Sequence, residues 1–199
     1  CDLHTAAREH EELLRRYLSD AVKPGEWKFV ALNAALWSGG CFLYVPKGVE
    51  IALPVQLSTG VSTDGLAAFP HTIIVAEPQS KVTFIDETQS PDGDHLSPQP
   101  PLPQGEKGSR GFVSGAVEIY AGDGAKVEYY SINRWGQSVY NFNTVRAIVG
   151  RDAEFLGMAA GIGGKMTKMR IDTEMLQAGA QVKLLGVTFG DGDQQFDYN

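Results

Sequence analysis

The chain has 199 residues, 43% of them apolar, and a formal charge of −7 from 17 basic and 24 acidic side chains. This is enough for one sizeable core, and the thinly scattered Lys and Arg exclude a basic groove for nucleic acid. No run of about 18 apolar residues marks a membrane helix, and the charged N-terminal stretch is unlike a secretory signal.

Residues 3–18 place Leu3, Ala6, Ala7, His10, Leu13, Leu14, Tyr17 and Leu18 near a 3.6-residue rhythm, which predicts an amphipathic helix packed on the end of whatever follows. Lys23-Pro24-Gly25 breaks it. Residues 28–37 (KFVALNAALW) form a second helical run, stopped by Ser38-Gly39-Gly40. Residues 1–40 are therefore a helical segment and 41–199 a β-rich core.

In the core one phrase recurs: a β-run, a tight turn closed by a small residue, and an alternating β-run. Aligned on Val49, Ser80, Ala125, Ala153 and Ala180, the phrases repeat at intervals of 31, 45, 28 and 27 residues. The long interval contains 90–110, a stretch with five prolines, which is read as a disordered loop between coils. A period of this size predicts a mainly β, strand-built solenoid. Side-chain period two should put Val82, Phe84, Val127, Tyr129, Phe155, Val182 and Leu184 on the inner face and Thr83, Glu128, Glu154 and Lys183 on the other.

The candidate sites are weak. His10-Glu11-Glu12-Leu13-Leu14 starts like a zinc-protease helix but has Leu14 where a second His is needed. Residues 161–167 (GIGGKMT) lack the Ser or Thr that a phosphate loop needs directly after Lys165, so they are read as a corner; 190–193 (GDGD) is read as a turn. Cys1 and Cys41 have no disulfide or zinc spacing, and Cys41 in an apolar run is read as an inert thiol. His71 is read as a capping or packing residue, and His95 lies in the loop. No Asp or Glu pair recurs at one register, as acid–base chemistry on a carbohydrate would require. No catalytic, cofactor-binding or metal-binding residue is assigned.

Residues 28–56, 71–86, 139–151 and 161–167 resemble segments of the SufB/SufD family, most specifically in the ALN-containing helix and the FLYVPKGV turn. The resemblance implies a right-handed parallel β-helix flanked by helices, acting as a non-catalytic scaffold for iron–sulfur cluster assembly. It implies cytoplasmic partners, SufB and the SufC ATPase, and an iron–sulfur cluster, with scope for a flavin, in the assembled complex. The opening 2–17 and the thiol-free stretch 86–91 (DETQSP), where SufB chains commonly read E-G-C-T-A-P, resemble SufD more than SufB. The family's cluster-related Cys and His and its SufC-docking helices belong to a part expected beyond Asn199, so the chain reads as a fragment. An uncapped last coil is expected to self-associate, and Val187→Lys or Phe189→Lys to weaken that association. Two other readings are a β-solenoid enzyme acting on carbohydrate and an interaction module that presents Pro98–Pro103 to an SH3 or WW domain.

Overall fold

A computed structural model describes residues 1–61, 65–90 and 111–199. The predicted loop from 91 to 110, with His95 and Pro98–Pro103, lies outside the described residues, whereas Ser90 continues the ladder with its N–H donating to Arg134 O.

Three helices open the chain: α1 Leu3–Glu9, α2 Glu11–Leu14 and α3 Lys28–Leu36. Asp2 caps α1 by accepting from Thr5 N. The strands are β1 Phe42–Val45, β2 Val55–Gly60, β3 Leu66–Ala68, β4 His71–Ala76, β5 Lys81–Gln89, β6 Gly111–Ala121, β7 Lys126–Arg134, β8 Val139–Val149, β9 Glu154–Gly161, β10 Met166–Met175, β11 Gln181–Thr188 and β12 Gln195–Tyr198. They pair in parallel into two sheets. The first runs β1-β4-β6-β8-β10-β12, with β3 also on β6; the second runs β11-β9-β7-β5-β2. Consecutive strands alternate between the sheets over most of this length, which is a parallel β-helix.

The sequence spacing is the ladder register. Glu50 bridges Lys81, Lys81 pairs with Lys126, Lys126 with Glu154, and Glu154 with Gln181. Those pairs repeat the intervals of 31, 45, 28 and 27. The corner before each of these strands is built alike. Gly48, Gln79, Gly124, Asp152 and Gly179, each just before a turn-closing residue, all have φ between 54° and 76°. Their backbones are stitched from coil to coil, Gly48 N to Pro78 O, Gln79 N to Asp123 O, Gly124 N to Arg151 O and Asp152 N to Ala178 O.

Three of these positions are glycine, which adopts positive φ without steric cost, whereas a long side chain costs about 1 kcal/mol or more there. Gln79→Gly is therefore expected to raise stability by about 1 kcal/mol in urea denaturation. A loss of stability would show that side-chain packing, rather than backbone conformation, governs this corner.

The core between the sheets contains Val82, Phe84, Val127, Tyr129 and Phe155, all buried, while Glu154 and Lys183 are exposed and Thr83 and Glu128 half-buried. Val182 is only partly buried, and Leu184 is 44% exposed, because β11 has a strand neighbour on one side alone.

Two N-terminal expectations are corrected. The single helix over 3–18 is broken at His10, whose φ of −133° leaves the helical region, and the segment after Leu14 is a series of turns with Ser19 at φ 60°. The helices also do not cap the solenoid end. Leu3, Ala6 and Leu14 pack against Phe42, Ile73 and Val75, on the outer face of the first sheet. The break lets α1 and α2 both lay apolar residues on that face.

Candidate functional site

β4 reads HTIIVA, and all six residues are buried. Alternation sends Ile74 and Ala76 into the solenoid core and Ile73 and Val75 under the helices. A strand covered on both faces has no polar alternation to show. Its first residue, His71, packs as expected and also joins a buried polar hub. The ring Nε2 lies 2.7 Å from Glu118 Oε1, and Nδ1 lies 2.9 Å from Asn33 Oδ1. Glu118, fully buried in β6, accepts from Ser19 N, Ala21 N and Val22 N. Asn33 on α3 donates to Pro70 O and Ser114 O. Arg146 on β8 completes the junction by donating to Ala21 O and by pairing with Glu26 and Asp172. Hydrogen bonding to Arg146 holds the Glu26 carboxyl below the usual range.

The lumen is half apolar and half polar. Beyond the aromatic rung of Phe84 and Tyr129, β5 and β7 turn inward Asp86, Thr88, Ser131 and Asn133. Tyr129 donates to Asp86 Oδ2, Thr88 to Asn133 Oδ1, and Asn133 to Ser131 Oγ. A cavity of about 20 Å³ lies beside Asp86, Thr88, Thr72 and Asn143, large enough for about one water. Asp86 keeps some accessible surface, yet protein encloses its carboxyl, and burial pushes its pKa up to about 6 against the opposing hydrogen bond from Tyr129.

The sequence candidates do not converge. Cys1 is exposed and Cys41 half-buried, and burial pushes the Cys41 thiol up. His10 sits between two short helices. Residues 161–167 include the corner into β10, where Thr167 donates to Gly163 O; residues 191–194 form a turn closed by Gln194 N on Asp191 O. Along the ladders Glu128 pairs with Thr83 and Leu156, Asp86 with Leu57 and Ser131, and Glu118 with Ile73 and Arg146. No carboxylate pair faces a groove at any of these positions. Among the described residues no three His, Cys, Asp or Glu side chains group as metal ligands, and no helix is long and apolar enough to cross a membrane.

The two outer faces differ. Helices cover the first sheet over Phe42, Ile73 and Val75, while Tyr44 and Tyr140 stay exposed. On the second, the outward ladder Ile85, Tyr130, Met158 and Leu185 and its neighbours Ile132, Ala160 and Val187 form an apolar band, most open at Leu185 (45%), Val187 (52%) and Phe189 (76%).

Such an arrangement defines a parallel β-helix protein with N-terminal helices on one outer face and an apolar band on the other. Residues 59–199 match the family model described as SUF system FeS cluster assembly, SufBD core domain, and residues 1–57 match the SufBD protein N-terminal region. The chain belongs to the SufBD family. It is 30% identical over 196 residues to an iron-sulfur cluster assembly SufBD family protein of Staphylococcus epidermidis. It is 31% and 30% identical over 195 residues to proteins of the same description from Staphylococcus haemolyticus and Staphylococcus aureus. Each match covers 98% of this chain and 39% of the relative, so the chain spans about two fifths of their length.

Proposed function

We propose that this chain is the scaffold part of a SufD-type subunit, non-catalytic and cytoplasmic, that pairs with a SufB homologue and, in the whole protein, with a SufC-type ATPase. The cluster is cargo of the assembled complex, as is any flavin bound there, and this part of the chain supplies no ligand to either. The observation that carries the reading is the asymmetry of the two faces within a SufBD fold: one is covered over Phe42, Ile73 and Val75 by the N-terminal helices, and the other presents an apolar band. Exposed apolar patches of this kind mark protein contacts. The preference for SufD rests on the 86–91 stretch, where Asp86 and Thr88 turn their polar side chains into the lumen and no thiol is present.

Co-expression with a tagged SufB homologue should capture the chain, and Val187→Lys and Phe189→Lys should each reduce capture at least several-fold. Anaerobic reconstitution of the isolated chain should leave less than about one cluster in ten chains, since Cys1 and Cys41 fall short of the four thiolates a cluster ordinarily takes. Failure of capture, or a stoichiometric brown species lost in Cys41→Ser, would defeat the proposal.

A further inference from the structure

The hydrogen-bond inventory at the hub fixes where protons must be. Asn33 Nδ2 donates to two carbonyls, Pro70 O and Ser114 O. Its Oδ1 is therefore an acceptor, and His71 Nδ1 carries a hydrogen. Glu118 receives three backbone N–H groups across its two oxygens, and these can only donate. The Tyr120 hydroxyl lies 3.3 Å from Oε2, and the last contact is His71 Nε2 to Glu118 Oε1 at 2.7 Å, with both side chains essentially fully buried. Without a proton in that contact, a ring lone pair would face a carboxylate lone pair out of reach of water, at the cost of a buried unsatisfied pair.

We infer that the His71–Glu118 contact holds an obligate proton and that this proton latches the N-terminal layer, residues 1–27, onto the first sheet. The backbone donors of Ser19, Ala21 and Val22 belong to the layer, His71 and Glu118 belong to the sheet, and Ser19 adopts its positive φ at the start of this contact. When the layer lifts, water reaches the pair and the proton is no longer required. Lifting also uncovers Phe42, Ile73 and Val75, the apolar strip beneath α1 and α2. The latch is thus a one-proton control on whether the first sheet presents a sealed or an apolar outer face.

The groups that face the pair do not supply the same response. Tyr120 from β6 is within reach of Glu118 Oε2 and donates to Tyr17 O, and burial pushes its hydroxyl far up. Arg146 from β8 stays cationic beside Glu26 of the layer and Asp172 of β10. Asp20 lies 3.4 Å from the Tyr120 hydroxyl, and Asn33 from α3 is neutral.

The sign follows from proton linkage. The docked geometry requires the proton between His71 Nε2 and Glu118 Oε1, and the lifted layer, with water at the pair, does not, so lifting is linked to proton release. Docking is favoured at low pH and weakens as pH rises, by up to about tenfold in the opening constant per pH unit.

Hydrogen exchange by mass spectrometry on the whole chain reads this directly, with peptides across 11–27 corrected for intrinsic exchange and referenced to peptides of β8 and β9. In the wild type the opening constant of 11–27 should rise several-fold or more per unit between about pH 7 and 9, while the reference stays flat. The slope should vanish in His71→Gln, whose amide donates to Glu118 without titrating. Nitrogen-15 spectra of the His71 ring at neutral pH should show hydrogen on Nδ1 and a strongly hydrogen-bonded proton at Nε2. A flat wild-type profile overturns the latch, as does a slope retained in His71→Gln or a ring with a bare Nε2. The wild-type series and the ring spectra require no substitution, so a variant that folds poorly does not blunt the test.

Discussion

Phe84→Ala is expected to destabilise the protein by about 3–5 kcal/mol, whereas Leu184→Ala, in the same inward rung, should cost about 1 kcal/mol or less. The rung runs Val55, Phe84, Tyr129, Gly157 and Leu184 along the paired strands. Phe84 has no accessible surface, and its ring stacks on Tyr129 at 6.3 Å with an interplanar angle of 15°. Its removal leaves a cavity that neighbouring coils, held by continuous ladders, cannot close. Leu184 leans over Gly157, whose hypothetical Cβ would lie 2.9 Å from Leu184 Cδ2, and its other side faces solvent. Urea denaturation of the two variants gives the comparison. Equal losses would mean that Leu184 is as enclosed in solution as Phe84.

Asp86→Asn is expected to stabilise the protein at pH 7.5 and above by about 3 kcal/mol and to have little effect near pH 4. Burial raises the folded-state pKa to about 6, from a usual value of 3.8. A carboxyl with a raised folded pKa favours the folded state while protonated. That contribution is fully present below about pH 4 and is lost as pH rises through about 6, at about 1.4 kcal/mol per unit of pKa difference. Asn keeps an acceptor for the Tyr129 hydroxyl without the buried charge. Thermal or urea unfolding of both proteins across pH 4–8 reads the difference. A destabilised Asp86→Asn variant at pH 8 would mean that the carboxylate is well solvated or serves an unrecognised partner.

Much of the solenoid was legible because its two determinants are local. The alternation in 81–84, 126–129 and 154–155 assigns the inward column, and the turn-closing Ser80, Ala125 and Ala153 set a spacing that is the ladder register itself. Extending the same alternation two residues past Phe84 places Asp86 inside, a signal that was present but is masked by the expectation that carboxylates face water. The hub was not legible. His71 and Glu118 are 47 residues apart, and nothing near either names the other. The pattern around them held a partial clue: the unbroken β-branched run Ile73–Val75 and the run Ala116–Ala121, all but Tyr120 buried, require cover on both faces. That cover comes from the N-terminal helices, so placing them on the solenoid end overlooked the demand of these strands.

The corner stack divides the solenoid into a fixed side and a permissive side. Where the chain crosses from the first sheet to the second, through 77–80, 122–125 and 150–153, the connections are of one length and their backbones are stitched together. Where it returns, the connections range from the short 135–138 and 162–165 to the long stretch between β5 and β6. New sequence can therefore be grafted on the returning side of a coil without shifting the register of the coils above it, whereas the crossing side varies by a single residue: 176–180 is one longer than 150–153, and Gln181 still pairs with Glu154. The fold is a plug-board with one rail fixed, and diversification of this scaffold is expected to accumulate along the other.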